Sequence, residues 1–361
     1  MHFGPNITEQ LGRARADLRM GVPVVLTGTP SVIVFPTETL TEDKFQNLLA
    51  LGSLTLAITA RRAESLKTFV MDGDIARLAI PKGQSLSWIK AVADPSQDLN
   101  TPLKGPFQGI WDGTAAPARA AIQLIKSAQL LPAAILCEIK DALAFASAHN
   151  LTTLSYEAAQ KRLQQTNMLS DIVSARLPTT AASQGRLHVF RPNNGSDEHY
   201  AMEIGRPNRR EPVLVRLHSA CFTGDVMGSL KCDCGPQLRA ALTEMGAQNS
   251  GVLLYLNQEG RGIGLANKMR AYSLQDQGYD TVEANHRLGF EDDERDFRLG
   301  ATILKDMGID TIRLLTNNPA KVAMMEKQGI KVSERVPLSV GRNATNAGYL
   351  DTKARKSGHV L

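Results

Sequence analysis

Apolar residues in the second half of the chain repeat with two alternating periods, which predicts a mixed α/β fold. Short, mostly apolar runs indicate strands at VLVRLHSA, GVLLYL and TIRLLT. Helical spacing follows each run, over LANKMRAYSLQDQG, ERDFRLGATILKDMG and PAKVAMMEKQG in the later part of the chain. An earlier helix has Pro236 in its first turn and four apolar positions spaced i, i+3, i+4 and i+7: Leu238, Ala241, Leu242 and Met245.

The first half differs from the second in its pattern of apolar residues, and a stretch without regular apolar spacing separates the two. Strand-like runs occur at VPVVLTG and SVIVF, and helical periodicity occurs in APARAAIQLIKSAQLL and DALAFASAHN. The stretch DIVSARLPTTAASQG (171–185) gathers Pro, Thr, Ser and Gly, which is typical of a linker. We therefore expect an α/β protein of two domains, over 1–172 and 186–361, joined by a linker at 173–185.

Composition and charge narrow the possible classes of protein. The 361 residues are 43% hydrophobic and 21% charged, which is typical of a globular protein. No apolar run reaches the length that spans a bilayer, and the N-terminus lacks the apolar core of a signal peptide. The net charge of +5 comes from basic residues interleaved with acidic ones, which does not favour nucleic-acid binding. We expect a cytoplasmic protein with neither a membrane nor a nucleic-acid partner.

Three of the four cysteines lie within the fifteen residues CFTGDVMGSLKCDCG (221–235). Cys221, Cys232 and Cys234 could hold a metal at the centre of a glycine-containing loop. Three protein ligands and one open position are the pattern of a catalytic zinc that binds water. Two other interpretations remain open from the spacing alone: a closed structural zinc site that also uses His218, or three reduced thiols without a metal.

Three further motifs each have a functional and a purely structural interpretation. The loop EGRGIG (259–264) lacks the third glycine of a dinucleotide fingerprint, but its backbone N–H groups and Arg261 could approach an anion. GFEDDERDF (289–297) could be a solvated helix N-terminus, or could offer a carboxylate and a guanidinium to a substrate. TNNPAK (316–321) could bind phosphate or simply cap a helix.

Together these motifs resemble those of GTP cyclohydrolase II, the riboflavin-pathway enzyme that opens the imidazole ring of guanine. The resemblance covers essentially all of 186–361 and keeps the order and spacing of the motifs. It is carried by HSACFTGDVMGSLKCDCGPQL, YLNQEGRGIGLANKMRAYSLQDQGYDTVEANHRLGF, DERDF, LLTNNPAKV and VGRNATNAGYLDTKARKSGH.

The resemblance implies a zinc-dependent hydrolysis of GTP. It assigns one zinc ion per catalytic domain to the three clustered cysteines, with water in the fourth position. It also implies Mg²⁺ with the substrate polyphosphate. The family's base corresponds to Asp293, its active-site tyrosine to Tyr272, and its proposed phosphate nucleophile to Arg295. A guanidinium is a poor nucleophile, so electrostatic stabilisation is the role that the chemistry of Arg295 favours.

The resemblance further implies a GTP-binding set and a homodimer. Ala220 departs from the family, because many members carry Glu at this position, and a role for its side chain is therefore not expected. The implied binding positions are Arg216, Leu217, His218, Ser219, Ala220, Gln237, Glu259, Gly260, Arg261, Thr281, Thr316 and Lys321.

The first half resembles 3,4-dihydroxy-2-butanone 4-phosphate synthase, which is often fused to this cyclohydrolase. The matching segments are VIVFPTETLTEDKFQNLLALGS and LLPAAILCEIKDALAFASAHNLTTLSYEA. The acidic magnesium loop of that enzyme is replaced by LTGTPS (26–31), and its HTEA motif by GTAA (113–116). Glu138 remains, and Cys137 beside it is most simply a core thiol. We therefore expect a non-catalytic domain that serves stability, assembly or regulation.

The expected products are 2,5-diamino-6-(5-phospho-ribosylamino)pyrimidin-4(3H)-one, formate and pyrophosphate, the products of the first step of riboflavin biosynthesis. Two alternatives stay open at this point. The chain could be bifunctional and retain dihydroxybutanone phosphate synthase activity, or it could be a variant that releases only GMP and pyrophosphate.

Overall fold

The computed structural model describes residues 3–341 and 343–346 of the chain. These residues fall into two compact units that are not simply the two halves of the sequence. Within the described residues, the first unit comprises 3–165 together with 266–294, and the second comprises 166–265 together with 295–341 and 343–346. The segment 266–294 thus leaves the second half of the chain and belongs to the first unit.

The first unit is built on a sheet of seven strands in the order β5-β4-β3-β6-β2-β1-β7. All neighbouring strands are antiparallel except β1 and β7. Its strands are β1 (Val24–Thr27), β2 (Val32–Pro36), β3 (Leu54–Thr59), β4 (Ile75–Ala79), β5 (Gln108–Gly109), β6 (Ala133–Glu138) and β7 (Thr153–Ser155). Its helices are α1 (Ile7–Arg19), α2 (Glu42–Leu51), α3 (Ala60–Ser65), α4 (Leu86–Ala93), α5 (Ala116–Ser127), α6 (Ala142–His149), α7 (Tyr156–Leu163), α9 (Leu265–Asp276) and α10 (Thr281–Arg287).

Helices cover both faces of this sheet, and the strand sequences show why. In β2, Val32 and Val34 pack in one core cluster with α1, α5 and α7, whereas Ile33 and Phe35 pack in a second cluster with α2 and α4. Because successive side chains of a strand point to opposite faces, a strand buried on both sides must be apolar throughout. Cys137 lies in the second cluster, which confirms that it is a core thiol.

The second unit is built on another seven-stranded sheet, in the order β14-β13-β11-β12-β10-β9-β8. The strands from β14 to β12 are parallel, and those from β12 to β8 are antiparallel. The elements are β8 (Leu169–Arg176), β9 (Gly185–Pro192), β10 (His199–Gly205), β11 (Val213–Ser219), α8 (Cys234–Gln248), β12 (Ser250–Leu256), α11 (Arg298–Asp306), β13 (Thr311–Leu315), α12 (Pro319–Lys327) and β14 (Lys331–Val336). The predicted α/β fold class is confirmed.

Strand β11 divides its side chains between two helical layers. Val215 and Leu217 pack in the core cluster that includes α11 and α12, whereas Leu214 packs in the cluster that includes α8. The two-residue period places Arg216 and His218 on the same side as Leu214. This alternation decides which helix each functional side chain near the end of β11 can reach.

Most predicted elements of the second half are confirmed, and the bounds of two segments differ from the prediction. The predicted linker begins inside β8, since residues 173–176 pair with β9. The partner strand completes the backbone hydrogen bonds there, although the sequence alone shows no periodicity. The helix predicted over 294–308 begins only at Arg298, and Asp296 of the acidic stretch accepts the backbone N–H of that first residue at 3.0 Å. The grouping of 266–294 with the first unit also differs from the predicted division by sequence, whose domain assignments stay a prediction.

Among the described residues, no helix combines the length and the apolar character that crossing a membrane requires.

A buried ion-pair cluster links several parts of the first unit through Asp98. Arg62, which is 1% exposed, donates to both carboxylate oxygens of Asp98 at 2.7 and 2.8 Å, and Lys104 donates at 2.7 Å. Burial alone would raise the pKa of Asp98, but the hydrogen bonds and charges of Arg62 and Lys104 together lower it. The cluster therefore stabilises the fold only while Asp98 is ionised.

We predict that Asp98→Asn lowers the free energy of unfolding by about 3 kcal/mol at pH 7, because it leaves two cations without their partner. The stabilisation is present above the unfolded carboxyl pKa of about 3.9 and is lost as the pH falls through the lowered pKa. The difference between wild type and variant should therefore shrink below about pH 4. Urea denaturation at several pH values measures it, with the exposed Asp112→Asn as control. Equal stability of wild type and Asp98→Asn at pH 7 would contradict the assignment.

Candidate active site

The three clustered cysteines meet just beyond the carboxyl end of β11. Cys221 follows the strand, a π-helical turn over Phe222–Val226 reverses the chain, and Cys234 is the first residue of α8. Their Sγ atoms all lie within 4.8 Å of one another, and those of Cys221 and Cys232 are 3.7 Å apart. This distance is far beyond the ~2.05 Å of a disulfide bond. The cluster is therefore three thiols that converge on one point.

The geometry and the donor atoms of this cluster fit zinc. Two thiolates at about 2.3 Å from a tetrahedral zinc lie roughly 3.8 Å apart, close to the distance between Cys221 and Cys232. Gly224 lies beside the three sulfurs, and a Cβ there would be 2.7 Å from Sγ of Cys232 and 3.1 Å from Sγ of Cys221. A residue without a side chain is required at this position for the three ligands to close.

The close packing of the thiols also affects their pKa values. Hydrogen bonds to Cys221 and Cys232, followed by burial, raise the pKa of the Cys234 thiol well above its usual value. The pKa of Cys232 is raised as well, first by its hydrogen bond to Cys221. Without a positive charge beside them, Cys232 and Cys234 therefore resist ionisation. A bound divalent cation reverses this preference, because a coordinating thiol is deprotonated outright.

His218 does not act as a fourth ligand. The group of Cys, His, Asp and Glu side chains that could hold a metal contains three cysteines and no other member within the described residues. His218 instead points Nε2 at both carboxylate oxygens of Asp225, at 3.1 and 3.0 Å. The closed zinc site with His218 is therefore not what this geometry favours, and three ligands leave one position for water.

Asp225 is a residue whose importance the sequence analysis missed. Its side chain is buried, and its Oδ2 accepts hydrogen bonds from the backbone N–H of Cys221 and from the hydroxyl of Tyr255, both at 3.0 Å. Nε2 of His218 also contacts this carboxylate, so β11, β12 and the residue that follows β11 all meet at Asp225. Asp225 thus fixes the backbone that carries the first cysteine. No spacing or periodicity marks Asp225 in the sequence, because its partners lie up to 30 residues away.

Burial lowers the pKa of His218, although the hydrogen bond and charge of Asp225 oppose that effect. An ionised carboxylate can only accept, so Nε2 of the neutral ring carries the proton that it donates to Asp225. Nδ1 is then an acceptor, and it has no hydrogen-bond partner among the residues that the structure describes. The ring also stacks on Tyr255, with centroids 5.6 Å apart. His218 presents one unused, buried acceptor in a fixed orientation.

Arg216 lies on the same face of β11 and contacts helix α8. Its guanidinium donates to the backbone oxygen of Leu315 at 3.0 Å and to the side-chain oxygen of Gln237. The amide of Gln237 in turn donates to Asp233, between the second and third cysteines. Burial lowers the pKa of Arg216 to about 10, so it stays charged at neutral pH. Its buried Nε has no hydrogen-bond partner within the described residues.

The other binding positions of β11 face α11 and α12. Leu217 is buried in that core, and its backbone oxygen accepts a hydrogen bond from Nζ of Lys321 at 3.2 Å. The hydroxyl of Ser219 accepts one from Arg295 at 3.2 Å. Arg295 and Lys321 both lie over the ring of Phe297, at 4.7 and 5.2 Å from its centroid. Two cations that were distant in sequence are thus brought together on one aromatic ring.

The loop after β12 contacts the cysteine loop through Glu259. Oε2 of Glu259 accepts the backbone N–H of Phe222 at 2.6 Å, and Oε1 accepts that of Gly260 at 2.9 Å. Gly260 and Arg261 both have φ near +63°. A left-handed conformation is uncommon for a residue other than glycine, so Arg261 is held in a restricted geometry. The loop is a short turn and not a dinucleotide fingerprint, as expected.

Two remaining positions of the second unit have mainly backbone roles in the structure. The buried hydroxyl of Thr316 accepts the backbone N–H of Asn318 at 3.0 Å, and Asn318 caps α12. Ala220 donates its backbone N–H to Leu256 at 2.8 Å, across the ends of β11 and β12. The helix-capping interpretation of TNNPAK is therefore confirmed, and it leaves a phosphate-binding role untested.

Three predicted site residues belong to the first unit: Tyr272 on α9, Thr281 at the start of α10, and Asp293 in the loop that follows. Lys268 lies over the ring of Tyr272, 5.7 Å from its centroid, and the hydroxyl of Thr281 accepts from Gln275 at 3.3 Å. Asp293 is exposed. The predicted motif VGRNATNAGYLDTKARKSGH lies mostly outside the described residues.

The first half of the chain shows no acidic loop where the synthase would carry one. Strands β1 and β2 form an antiparallel hairpin across residues 27–31. The hydroxyl of Tyr156 closes the turn by accepting the backbone N–H of Thr29 at 3.0 Å and donating to its oxygen at 3.1 Å. The described segment contains no carboxylate. Among the described residues of this unit, no three His, Cys, Asp or Glu side chains lie close enough together to hold a metal ion.

Comparison with known proteins gives the family. The family model described as GTP cyclohydrolase II matches residues 170–337. A protein of Azospirillum brasilense named GTP cyclohydrolase-2 is 41% identical over 358 residues, which are 97% of this chain and 93% of that protein. The match to this relative extends over both halves of the chain.

Two other relatives match different portions. A GTP cyclohydrolase-2 of Escherichia fergusonii is 55% identical over 193 residues, covering 54% of this chain and 97% of the relative. The riboflavin biosynthesis protein RibBA of Bacillus mycoides is 46% identical over 261 residues, covering 68% of this chain and 65% of the relative. The Escherichia protein is thus matched along nearly its whole length by about half of this chain.

We predict that Gly224→Ala lowers the zinc content of the purified protein to well below one ion per chain. The added methyl group would lie 2.7 Å from Sγ of Cys232 and would displace at least one ligand. Metal analysis of the purified proteins measures the effect, and thermal unfolding checks that the fold survives. Gly109→Ala is the control, because its Cβ would make only ordinary contact, at 3.5 Å from Trp111. Full zinc content in Gly224→Ala would refute the proposed arrangement of ligands.

Proposed function

The chain belongs to the GTP cyclohydrolase II family, and we propose that it hydrolyses GTP with the help of zinc. The proposed products are formate, pyrophosphate and 2,5-diamino-6-(5-phospho-ribosylamino)pyrimidin-4(3H)-one. The observation that carries the proposal is the convergence of three cysteine sulfurs within 4.8 Å, with no fourth protein ligand among the described residues. The enzymes that carry this family name act in riboflavin biosynthesis, and we assign the same pathway to this chain.

Cys221, Cys232 and Cys234 would hold the zinc. When bound, zinc supplies a Lewis acid that lowers the pKa of a water molecule in its open position toward neutrality. Asp225 holds the N–H of Cys221 and thereby keeps the first ligand in place. Nδ1 of His218, the buried acceptor described above, can receive a hydrogen bond from the substrate or from water. Carbon C8 of guanine, which leaves as formate, is the proposed point of attack.

The cationic side chains suit the polyphosphate. Lys321 and Arg295 lie over one ring, and Arg216 has a buried donor without a partner among the described residues. Charged donors form the stronger hydrogen bonds to phosphate oxygens. We propose that Arg295 stabilises the charge of the α-phosphoryl group during pyrophosphate release and does not act as a nucleophile. Mg²⁺ is proposed to accompany the substrate polyphosphate.

The remaining predicted residues keep their family roles as proposals. Asp293 would act as the base, and Tyr272 would contact the substrate near the reacting atoms. Glu259 and Gln237 present a carboxylate and an amide of the kind that can read the edge of guanine. Thr281, Thr316, Gly260 and Arg261 complete the proposed binding set. The homodimer that the family resemblance implies also stays a prediction.

We predict that the zinc-loaded protein releases formate and pyrophosphate from GTP, and that Cys232→Ser lowers the rate of formate release at least about 100-fold. Serine removes a soft ligand and leaves the metal with two thiolates. Formate and pyrophosphate assays, with chromatography of the pyrimidine product, measure the reaction. Cys137→Ser is the matched control, because this buried thiol lies in the core of the first unit. GMP with pyrophosphate and no formate would instead identify the truncated reaction.

The RibBA relatives raise a second candidate, a bifunctional enzyme that also forms the butanone phosphate. The short hairpin at 27–31 favours the opposite view, since it supplies no carboxylate for Mg²⁺. We predict that the protein with Mg²⁺ converts no ribulose 5-phosphate to 3,4-dihydroxy-2-butanone 4-phosphate or formate. The same preparation should be active on GTP, which controls for inactive protein. Formation of the butanone phosphate would establish the bifunctional alternative.

A further inference from the structure

The segment 266–294 carries three of the proposed site residues, yet it is part of the first unit. It contains α9, α10 and a loop without regular structure at 290–294, here termed the acidic loop. The first unit otherwise consists of the half of the chain for which we propose no chemistry of its own. The contacts between that half and the segment are therefore a guide to what the half does.

Helix α9 is fixed to the first half by buried and ionic contacts. Asn267 is fully buried and donates its side-chain N–H to the backbone oxygen of Gln129 at 3.0 Å. Arg270 lies 3.1 Å from a carboxylate oxygen of Glu38 and 3.4 Å from one of Asp94. A side chain buried to this extent has its orientation determined by its partner. The helix that bears Tyr272 thus has a defined position on the first half.

The chain between α10 and the acidic loop is fixed by close packing. Gly289 has φ near +89°, and a Cβ there would lie 2.7 Å from Oγ1 of Thr59 and 2.9 Å from Cγ of Pro132. Phe290, the first residue of the acidic loop, is 1% exposed. Only glycine combines this backbone conformation with so close an approach. The start of the loop is therefore anchored directly against the first half.

Two basic residues of the first half bind the acidic loop on both sides of Asp293. Arg61, on α3, donates to Oε2 of Glu291 through Nε at 3.1 Å and Nη2 at 2.9 Å. Lys126, on α5, donates to Oε1 of Glu294 at 2.6 Å and also lies over the ring of Phe290, 5.6 Å from its centroid. The same oxygen of Glu294 accepts the backbone N–H of Glu291 at 2.9 Å, which closes the loop on itself.

The two ion pairs, Arg61–Glu291 and Lys126–Glu294, are suited to fix the conformation of the acidic loop. They contribute little to the stability of the whole unit. The side chains of Lys126 and Glu294 are 22% and 23% exposed, whereas those of Arg61 and Glu291 are 36% and 55% exposed. Ion pairs this accessible contribute little to global stability.

The five-residue loop has no helix or strand of its own, so side-chain contacts select its conformation. Besides the two pairs, these contacts include the buried Phe290 and His286, whose Nε2 lies 2.6 Å from Oδ1 of Asp292. Because the two pairs lie on either side of Asp293, removing them should loosen that part of the loop while the unit stays folded.

We propose that the first half of the chain positions the acidic loop for catalysis, with Arg61 and Lys126 as the positioning residues. The inference rests on the proposed function, because it gives the loop its importance through Asp293. In this view the first half has no active site of its own and serves as the support that sets the direction of the carboxylate.

The test uses the full-length, zinc-loaded double variant Arg61→Met/Lys126→Met. We expect kcat for formate release to fall roughly 10- to 100-fold, since a misplaced catalytic group has a cost of this order. The KM for GTP, the zinc content and the melting temperature should stay near their wild-type values. Hydrogen–deuterium exchange of residues 288–296 should become faster, which would show directly that the loop has lost its support.

Two further variants separate positioning from a general effect of mutation. Arg119→Met removes an ion pair to Asp74 of similar exposure, 32% and 54%, elsewhere in the same unit, and should leave kcat and loop exchange unchanged. The charge exchange Lys126→Glu/Glu294→Lys should recover much of the activity that Lys126→Glu alone loses. Recovery of this kind is expected only if the pair itself sets the loop conformation.

The outcomes distinguish failure of the inference from failure of the proposed function. Wild-type kcat together with wild-type exchange in the double variant would overturn the positioning role. A fall in kcat that tracks a loss of thermal stability, and that occurs equally in Arg119→Met, would also overturn it. If the wild-type protein releases no formate from GTP, the proposed function fails, and loop exchange alone then decides whether Arg61 and Lys126 hold the loop.

Discussion

The hydrogen bonds to one buried carboxylate, that of Asp225, determine the geometry of the candidate active site. The carboxylate joins the backbone of Cys221, the hydroxyl of Tyr255 on β12 and the ring of His218 on β11. Because it lies inside the turn that separates the cysteines, it couples the ends of two parallel strands to the metal ligands. Two of the three partners, His218 and Tyr255, lie in strands, so the site takes much of its rigidity from the sheet.

Successive side chains of β11 point to opposite faces of the sheet, so one short sequence contributes residues to two different surroundings. Arg216 and His218 point toward α8 and the cysteines, whereas Leu217 and Ser219 point toward α11 and α12, where Lys321 and Arg295 lie. A contiguous binding motif is thus divided between two faces of one strand, one beside the cysteine loop and the other beside Lys321 and Arg295.

Sequence periodicity was sufficient for the elements that bury a regular apolar face, such as β11, β12 and α8. It failed where contacts with distant residues determine the local structure. Residues 173–176 form a strand because β9 completes their hydrogen bonds, and the acidic run at 291–296 is held by Arg61 and Lys126 and does not begin a helix. The cysteine cluster could be predicted from spacing, but Asp225 could not, because its role depends on partners 4 to 30 residues away.

The path of the chain has a consequence for how such a protein can evolve. The polypeptide passes from the second unit to the first after residue 265 and returns after residue 294. A recombination event at the junction near residue 166 would therefore separate Arg270 and Glu291 from the residues that bind them. Exchange of the first half for that of a relative would have to bring Glu38, Arg61 and Lys126 with it. The two halves can be inherited as a fusion, but they are not interchangeable modules.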